Sequence, residues 1–201
     1  MGFIITKYIP YFRFIYKTRH YQCSINFSFW FRQKVLNYKK NRHVYWPVNS
    51  TSTVVSPENI LVGIDAYPGI MGGCYIQGLG GIEIGDYTQI APNVVIVSAN
   101  HDIYDSRKHV EAKVTIGKYC WLGAGCKIMP GVSLGDFTIV GAGAVVTKSF
   151  PEGHCVIGGV PAQKIKFLEK EKCIRYELEP KYNGYIASTK FEAYRKNYLK
   201  V

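Results

Sequence analysis

The sequence predicts a mainly β protein, a parallel β-solenoid built from six-residue units. Three columns of residues point to it. Branched aliphatics recur at every sixth position: Ile116, Leu122, Ile128, Leu134, Val140 and Val146. Glycine follows four of those six, at Gly117, Gly123, Gly135 and Gly141. Four residues after each aliphatic stand Cys120, Cys126, Val132, Thr138, Ala144 and Phe150, mostly small. An α-helix would impose a 3.6-residue period and a lone amphipathic strand a period of two. Six fits a short strand plus a turn, with the aliphatic inward and glycine supplying the turn's unusual backbone angles. Three units close one triangular coil. Stacked coils then pair as parallel strands around a continuous aliphatic column.

Residues 1–46 form an aromatic, basic N-terminal extension. They hold nine Lys or Arg, fourteen aromatics and no Asp or Glu. The net charge of +11 is therefore mostly local, because residues 47–201 carry sixteen bases against fourteen acids. So aromatic a segment is no flexible polar tail. It can cap the first coil, whose end would otherwise expose its core. It can lie on an anionic membrane surface. Capping ranks first and the membrane second. Nucleic acid is set aside, since no RNA- or DNA-binding motif occurs. No uninterrupted apolar run reaches about 18 residues, and the opening lacks a signal-peptide pattern. A cytoplasmic protein is expected, peripheral at the inner membrane face if the extension binds lipid.

Residues 47–167 are expected to be the β-helix domain. The stretch "YWPVNSTSTVVSPENI" leads into it, and Val55 and Leu61 start the series. Ile70, Ile76 and Ile82 continue it and, after a two-residue phase slip, so do Ile84, Ile90 and Ile96. The twenty residues from Ile96 to Ile116 read as one coil of eighteen plus two. Within them the apolar pattern fails, so residues 99–113 are expected to form a loop projecting from the scaffold, where rigid coils can display function. Residues 168–201 are a C-terminal extension in which "FLEKEKCIRYELE" suggests a short helix finishing the far end of the prism. None of the six cysteines forms a CxxC pair, and Cys120 and Cys126 sit at equivalent repeat positions. They read as small buried apolar residues in a reducing compartment.

The stretch "IGKYCWLGAGCKIMPGVSLGDFTIVGAGAVVTKSFPEGHCVIGGVPAQKIK", together with "SANHD", resembles the left-handed β-helix acyltransferases of the hexapeptide-repeat family. It is most similar to the branch that acetylates sugars, including galactoside, maltose and O-antigen or capsule acetyltransferases. The resemblance covers about residues 50–167. It implies an acetyl-CoA-dependent O-acetyltransferase acting on a sugar or glycan hydroxyl, by direct transfer without an acyl-enzyme. It also implies a homotrimer with sites in the clefts between neighbouring prisms.

Acetyl transfer to a hydroxyl needs a base, an oxyanion donor and alignment, and histidine titrates in the right range for the base. His101 of "SANHD" matches the family's catalytic histidine. A carboxylate, Asp102 or Asp105, or a backbone carbonyl would orient it. On the resemblance, Ala124, Ala142, Thr147, Lys148 and Lys166 are expected to meet CoA. An amide near Ala124 is a candidate oxyanion donor. Gln77, Asp102 and His109 are weaker candidates for acceptor contacts. Asn93 reads as a turn residue, and Trp121 either walls the cleft or packs outside the prism. No metal is expected: the related zinc hydratases of this fold use three histidines, and here only His101 and His109 lie close. Two alternatives remain, N-acetylation of a nucleotide-linked amino sugar and a non-catalytic β-helix scaffold.

Overall fold

A computed structural model describes residues 12–201; the part of the extension at residues 1–11 lies outside them. The protein is mainly β, with three parallel sheets that the chain visits in rotation. In chain order, β1 (Thr53–Val55) and β2 (Ile60–Val62) begin the first two faces. A second round follows as β3 (Tyr75–Gln77), β4 (Ile82–Ile84) and β5 (Gln89–Ile90), the last opening the third face. β6 (Val95–Val97) starts the third round, which a hairpin of β7 (Ala99–His101) and β8 (His109–Glu111) interrupts. That round resumes with β9 (Val114–Ile116) and β10 (Trp121–Leu122). β11 (Lys127–Ile128), β12 (Ser133–Leu134) and β13 (Thr138–Val140) make the fourth round. β14 (Val145–Val146), a bridge from Phe150 to Leu134, and β15 (Cys155–Gly159) make the fifth. β16 (Ala162–Phe167) then folds back antiparallel on β15.

The register explains the sixfold period. Ile96, Ile128 and Val146 are direct neighbours on the first face, as are Ile84, Ile116 and Leu134 on the second. Ile90, Leu122, Val140 and Ile157 stack on the third. All are buried, and so is the whole column from Cys120 to Phe150. The cysteines are free, and all but Cys173 are buried.

Four readings of the repeat change. Val54, Ile60 and Val62 point inward, not Val55 and Leu61, so the expected start was one residue out of register. The slip between Ile82 and Ile84 is no slip. Both lie on β4, two residues apart, and therefore share its buried face. The stretch from Ile96 to Ile116 is not a coil plus two. Ile96 sits on the first face and Ile116 on the second, one ordinary six-residue step, and the remainder is the inserted hairpin. Finally, the glycines after the aliphatics are not there for turn angles. A Cβ on Gly117 would lie 2.5 Å from the Asp136 nitrogen, and one on Gly85 would lie 2.7 Å from the Gly117 carbonyl carbon. At Gly85, Gly117, Gly123 and Gly135 glycine is needed because adjacent coils touch backbone to backbone, while at Gly141 the nearest atom is 3.4 Å away. The left-handed residue comes two positions later, at Tyr87, Asn93, Tyr119, Gly125, Phe137 and Gly143.

Three of those left-handed residues are aromatic, and they stack from coil to coil. Tyr87 meets Tyr119 at 5.3 Å between centroids, and Tyr119 meets Phe137 at 4.9 Å. The C-terminal segment descends along this corner instead of finishing the far end. Arg175 pairs with Asp136 at 3.5 Å, the Tyr119 hydroxyl donates to the Tyr176 carbonyl at 2.7 Å, and the Leu178 amide donates to the Tyr87 hydroxyl at 3.1 Å. The "FLEKEKCIRYELE" stretch accordingly holds only one 3₁₀ turn, Lys170–Lys172, because its role is to span coils in extended form. The segment reaches the first coil, where Asn183 Nδ2 donates to the Val62 carbonyl at 3.0 Å and the Tyr185 amide to the Tyr45 carbonyl at 3.0 Å.

The N-terminal residues meet it there. Helices α1 (Arg13–Lys17) and α2 (Phe27–Lys34) lead to Tyr45 and Trp46, which are buried in the same core as the coils. Asp65, fully buried, accepts the Gln22 and Cys23 amides at 3.0 Å each. Burial pushes its carboxyl above the usual range even so. The last helix, α3 (Ser188–Tyr198), packs Phe191 and Tyr194 against Tyr45.

Two corner substitutions separate steric need from backbone-angle need. Gly117→Asn is expected to lower unfolding stability by about 1–3 kcal/mol or to abolish folding, since its side chain must part the coils. Gly125→Asn should cost under about 1 kcal/mol. A Cβ there meets nothing within 4 Å, and Asn93 holds the same left-handed corner one coil earlier. Urea unfolding of both variants checks the contrast.

Candidate active site

The hairpin that interrupts the third round carries His101. Its root is fastened to the preceding coil. The Ser98 hydroxyl donates to the Gln77 carbonyl at 2.9 Å, and the Ala99 amide donates to Gln77 Oε1 at 3.0 Å. The Gly80 amide donates to Ser98 Oγ at 3.0 Å, and the Ala112 amide closes the root on the Ser98 carbonyl at 2.8 Å. A Cβ on Gly80 would stand 2.3 Å from that carbonyl oxygen, so only glycine admits this approach.

Above the root, β7 and β8 pair antiparallel and place His101 opposite His109. The two rings face each other at 4.7 Å between centroids. The turn is stiffened by Asp102, whose Oδ1 accepts the Tyr104 and Asp105 amides at 2.8 and 2.9 Å. Those donors hold its carboxyl below the usual range. Asp105 in turn pairs with Arg107 at 2.8 Å, which lowers its own carboxyl likewise.

His101 Nδ1 lies 2.5 Å from the Ser106 carbonyl oxygen. A carbonyl can only accept, so Nδ1 carries the hydrogen and the neutral ring keeps its lone pair on Nε2. The backbone orients the ring, while Asp102 and Asp105 are spent on the turn. Ser106 was invisible to sequence reasoning because it acts through its main chain, which any residue supplies.

The other candidates divide by position around the first face. Ala124 and Ala142 lie on successive coils at the corner where the chain enters that face, joined by the Gly143 amide donating to the Ala124 carbonyl at 2.8 Å. Thr147 and Lys148 leave the face at its opposite edge, the same edge that emits the His101 hairpin. Lys148 Nζ donates to Gln163 Oε1 at 2.7 Å. Lys166 is exposed on β16, opposite Val156. Trp121 lies on the third face and is 55% exposed. One chain thus brings together His101, His109 and Gln77, but not His101 with Ala124 and Ala142. Gln77 Oε1 is taken by the Ala99 amide at the hairpin root. A cavity of about 550 Å³ lies elsewhere, between Gly85 and Lys118 of the corner and Phe191 and Arg195 of α3. Among the described residues no group of three or more His, Cys, Asp or Glu could hold a metal, and no helix is long and apolar enough to cross a membrane.

Residues 113–148 match the family model for the bacterial transferase hexapeptide (six repeats). A galactoside O-acetyltransferase of Escherichia coli (strain K12) is 39% identical over 89 residues, 42% of this chain and 43% of that one. A putative lipopolysaccharide biosynthesis O-acetyl transferase of the same organism is 35% identical over 110 residues, 48% of this chain and 56% of the relative. The chain therefore spans about half the length of the curated relatives it matches. The fold is similar to that of a galactoside acetyltransferase solved in complex with coenzyme A. The TM-score is 0.58 and the identity 23%, with 78% of this chain and 86% of that one covered.

Replacing Gln77 by Ala removes the acceptor of the Ala99 amide. That amide is expected to exchange with deuterium about tenfold faster, with global stability lowered by no more than about 1.5 kcal/mol. Unchanged exchange would detach Gln77 from the hairpin root.

Proposed function

We propose that the chain is a hexapeptide-repeat transferase, and within that family an acetyl-CoA-dependent O-acetyltransferase acting on a hydroxyl of a sugar or cell-surface glycan. The observation that carries this reading is the hydrogen bond from His101 Nδ1 to the Ser106 carbonyl, which leaves Nε2 as an acceptor on a rigid, exposed hairpin. His101 Nε2 takes the proton of the acceptor hydroxyl as its oxygen attacks the thioester carbon. The ring is then a cation, and its Nδ1–H bond to the carbonyl steadies it. On collapse of the tetrahedral species the same proton passes from Nε2 to the departing thiolate. No acyl-enzyme is needed, and the buried cysteines are poor candidates for one. Burial pushes the Cys120 and Cys126 thiols up to about 12.

The surface beside Ala124 and Ala142 suits the extended arm of CoA. Both residues are exposed, and space beyond Gly125 and Gly143 is open to at least 4 Å. Thr147, Lys148 and Lys166 are exposed polar and cationic groups for its phosphates. CoA supplies the activated acetyl group; the chain supplies alignment, the base and an amide near Ala124 for the oxyanion. His101 and Ala124 stand at opposite edges of one face, so a complete site needs the His101 edge of one chain and the Ala124 edge of another. We infer a homotrimer of left-handed coils with sites in the shared clefts. His109 and the hairpin tip then face the acceptor. Residues 1–46 serve as a cap that also meets an anionic membrane surface from the cytoplasmic side, residues 47–167 as the transferase domain, and residues 168–201 as the strap.

His101→Ala should cut turnover by at least about 10²-fold, read by free-thiol release, with CoA affinity little changed. Near-normal turnover would remove His101 from the mechanism. Sedimentation should give three times the 22.7 kDa chain mass. Co-assembly of His101→Ala with Ala124→Trp chains should restore activity that neither has alone. A monomer, or no restoration, would place the whole site in one chain.

A further inference from the structure

The described part of the N-terminal segment does not bury all its aromatic and aliphatic residues. Phe27, Phe31 and Val35 recur at four-residue spacing along α2 and its C-terminal end, and all three are exposed. Leu36, at 49% exposure, and Tyr38, at 47%, extend the same stretch. Five large apolar side chains in twelve residues form a ridge, which is more than the scattered exposure of an ordinary surface. Bases flank it: Arg32, Lys39, Lys40 and Arg42 are exposed, and residues 1–46 contain no acid to neutralise them.

The ridge cannot turn inward, because the opposite side of α2 is fixed. Gln33 is buried there. Its Nε2 donates to the Trp46 carbonyl at 2.9 Å, and its Oε1 accepts the Val48 amide at 2.9 Å and the Tyr185 hydroxyl at 2.6 Å. The Lys34 ammonium is also held on that side by the Arg42 and Val44 carbonyls at 2.7 Å each. A rigid, presented surface of this kind is apolar along its centre and cationic at its rim. Two copies placed ridge to ridge would set bases against bases. A nucleic acid would satisfy the bases but leave Val35 and Leu36 in water.

We propose that this face is a bilayer-docking surface, in which Phe27, Phe31, Val35 and Leu36 enter the headgroup–acyl boundary while Arg32, Lys39 and Lys40 meet anionic headgroups. The inference deepens the membrane reading of residues 1–46 and is independent of acetyl transfer. The docked face sits beside the first coil, and the His101 hairpin leaves the third strand of the first sheet. Two strand spacings, about 10 Å, separate that strand from β1. The catalytic hairpin is thereby kept close to the docked end of the stack.

The test is co-sedimentation of the full chain with vesicles of phosphatidylcholine containing 30 mol % phosphatidylglycerol, against pure phosphatidylcholine. Binding is expected to the anionic vesicles and to be at least about tenfold weaker on the zwitterionic ones. Lys39→Glu/Lys40→Glu and, separately, Val35→Ser/Leu36→Ser should each weaken it by at least about tenfold. All four side chains are exposed, so unfolding temperature should be unchanged, and so should any thiol release on a soluble acceptor. No binding, equal binding to both vesicles, or binding that survives both variants overturns the proposal. So does a wild-type assembly in lipid-free buffer that only the Val35→Ser/Leu36→Ser variant breaks, because the face would then be an interface between copies. Loss of thiol release with vesicle binding intact would count against the acetyltransferase reading alone.

Discussion

The spacing between coils governs this molecule. Parallel strands hydrogen-bond at about 4.8 Å, so every corner of one coil rests on the corner of the next. At Gly85, Gly117 and Gly135 there is no room for even one carbon beyond the backbone. The same spacing puts Ile84, Ile116 and Leu134 in direct register, and Ile96 beside Ile128. Burial of that column supplies the main driving force, roughly 25 cal/mol per Å² of apolar surface. Both features arise from one constraint. The sequence must repeat every six residues because the backbone must return to the same place above itself.

Stacking of this kind leaves two open ends, and the chain closes them differently. At the far end β16 folds back on β15, and the sheet stops. At the near end two distant segments are used together. The Tyr21 hydroxyl donates to the Pro180 carbonyl at 2.7 Å and accepts the Tyr182 amide at 2.9 Å, tying residues about 160 positions apart. The route between them is the aromatic corner. Tyr87 and Tyr119 hold left-handed backbone angles that cost a non-glycine residue energy, and their hydroxyls bond the descending strap. An aromatic at that corner thus serves both as a stacking platform and as an anchor for the return segment.

The hexad pattern was legible because inward side chains repeat with the backbone. So were the columns that proved to be buried and the place where they break, although residues 99–113 read as a loop and fold instead as the paired strands β7 and β8, whose polar alternation carries no strand signal. What escaped the sequence was of another kind. Glycine looks the same whether it supplies a left-handed angle, as at Gly143, or merely makes room, as at Gly117. Only the neighbouring coil tells the two apart. Val54 and Val55 are both valines, so the one-residue register of β1 had no signal in residue type. The descent of residues 173–183 along the stack rests on contacts with residues far away in sequence, and its composition resembles that of a short helix. At the candidate site, His101 was marked by its motif, while its partner at Ser106 is a carbonyl that no residue type reveals.

On the proposed function, the hairpin also explains why a regular scaffold breaks its own rule. Positions inside the prism are apolar and closed, and a neutral imidazole there would have neither room for a substrate nor a route for its proton. On a bare corner it would have no partner for Nδ1. The inserted strands β7 and β8 supply both needs, lifting His101 clear of the coil and curling Ser106 back to meet it. The lift requires stiffness, which the Asp102 turn provides at the tip and Gln77, Gly80 and Ser98 provide at the root. The hairpin leaves the first face at one edge, and Ala124 and Ala142 stand at the other. On the proposed function, the insertion that orients the imidazole also separates it from the Ala124 edge, and assembly would complete the site.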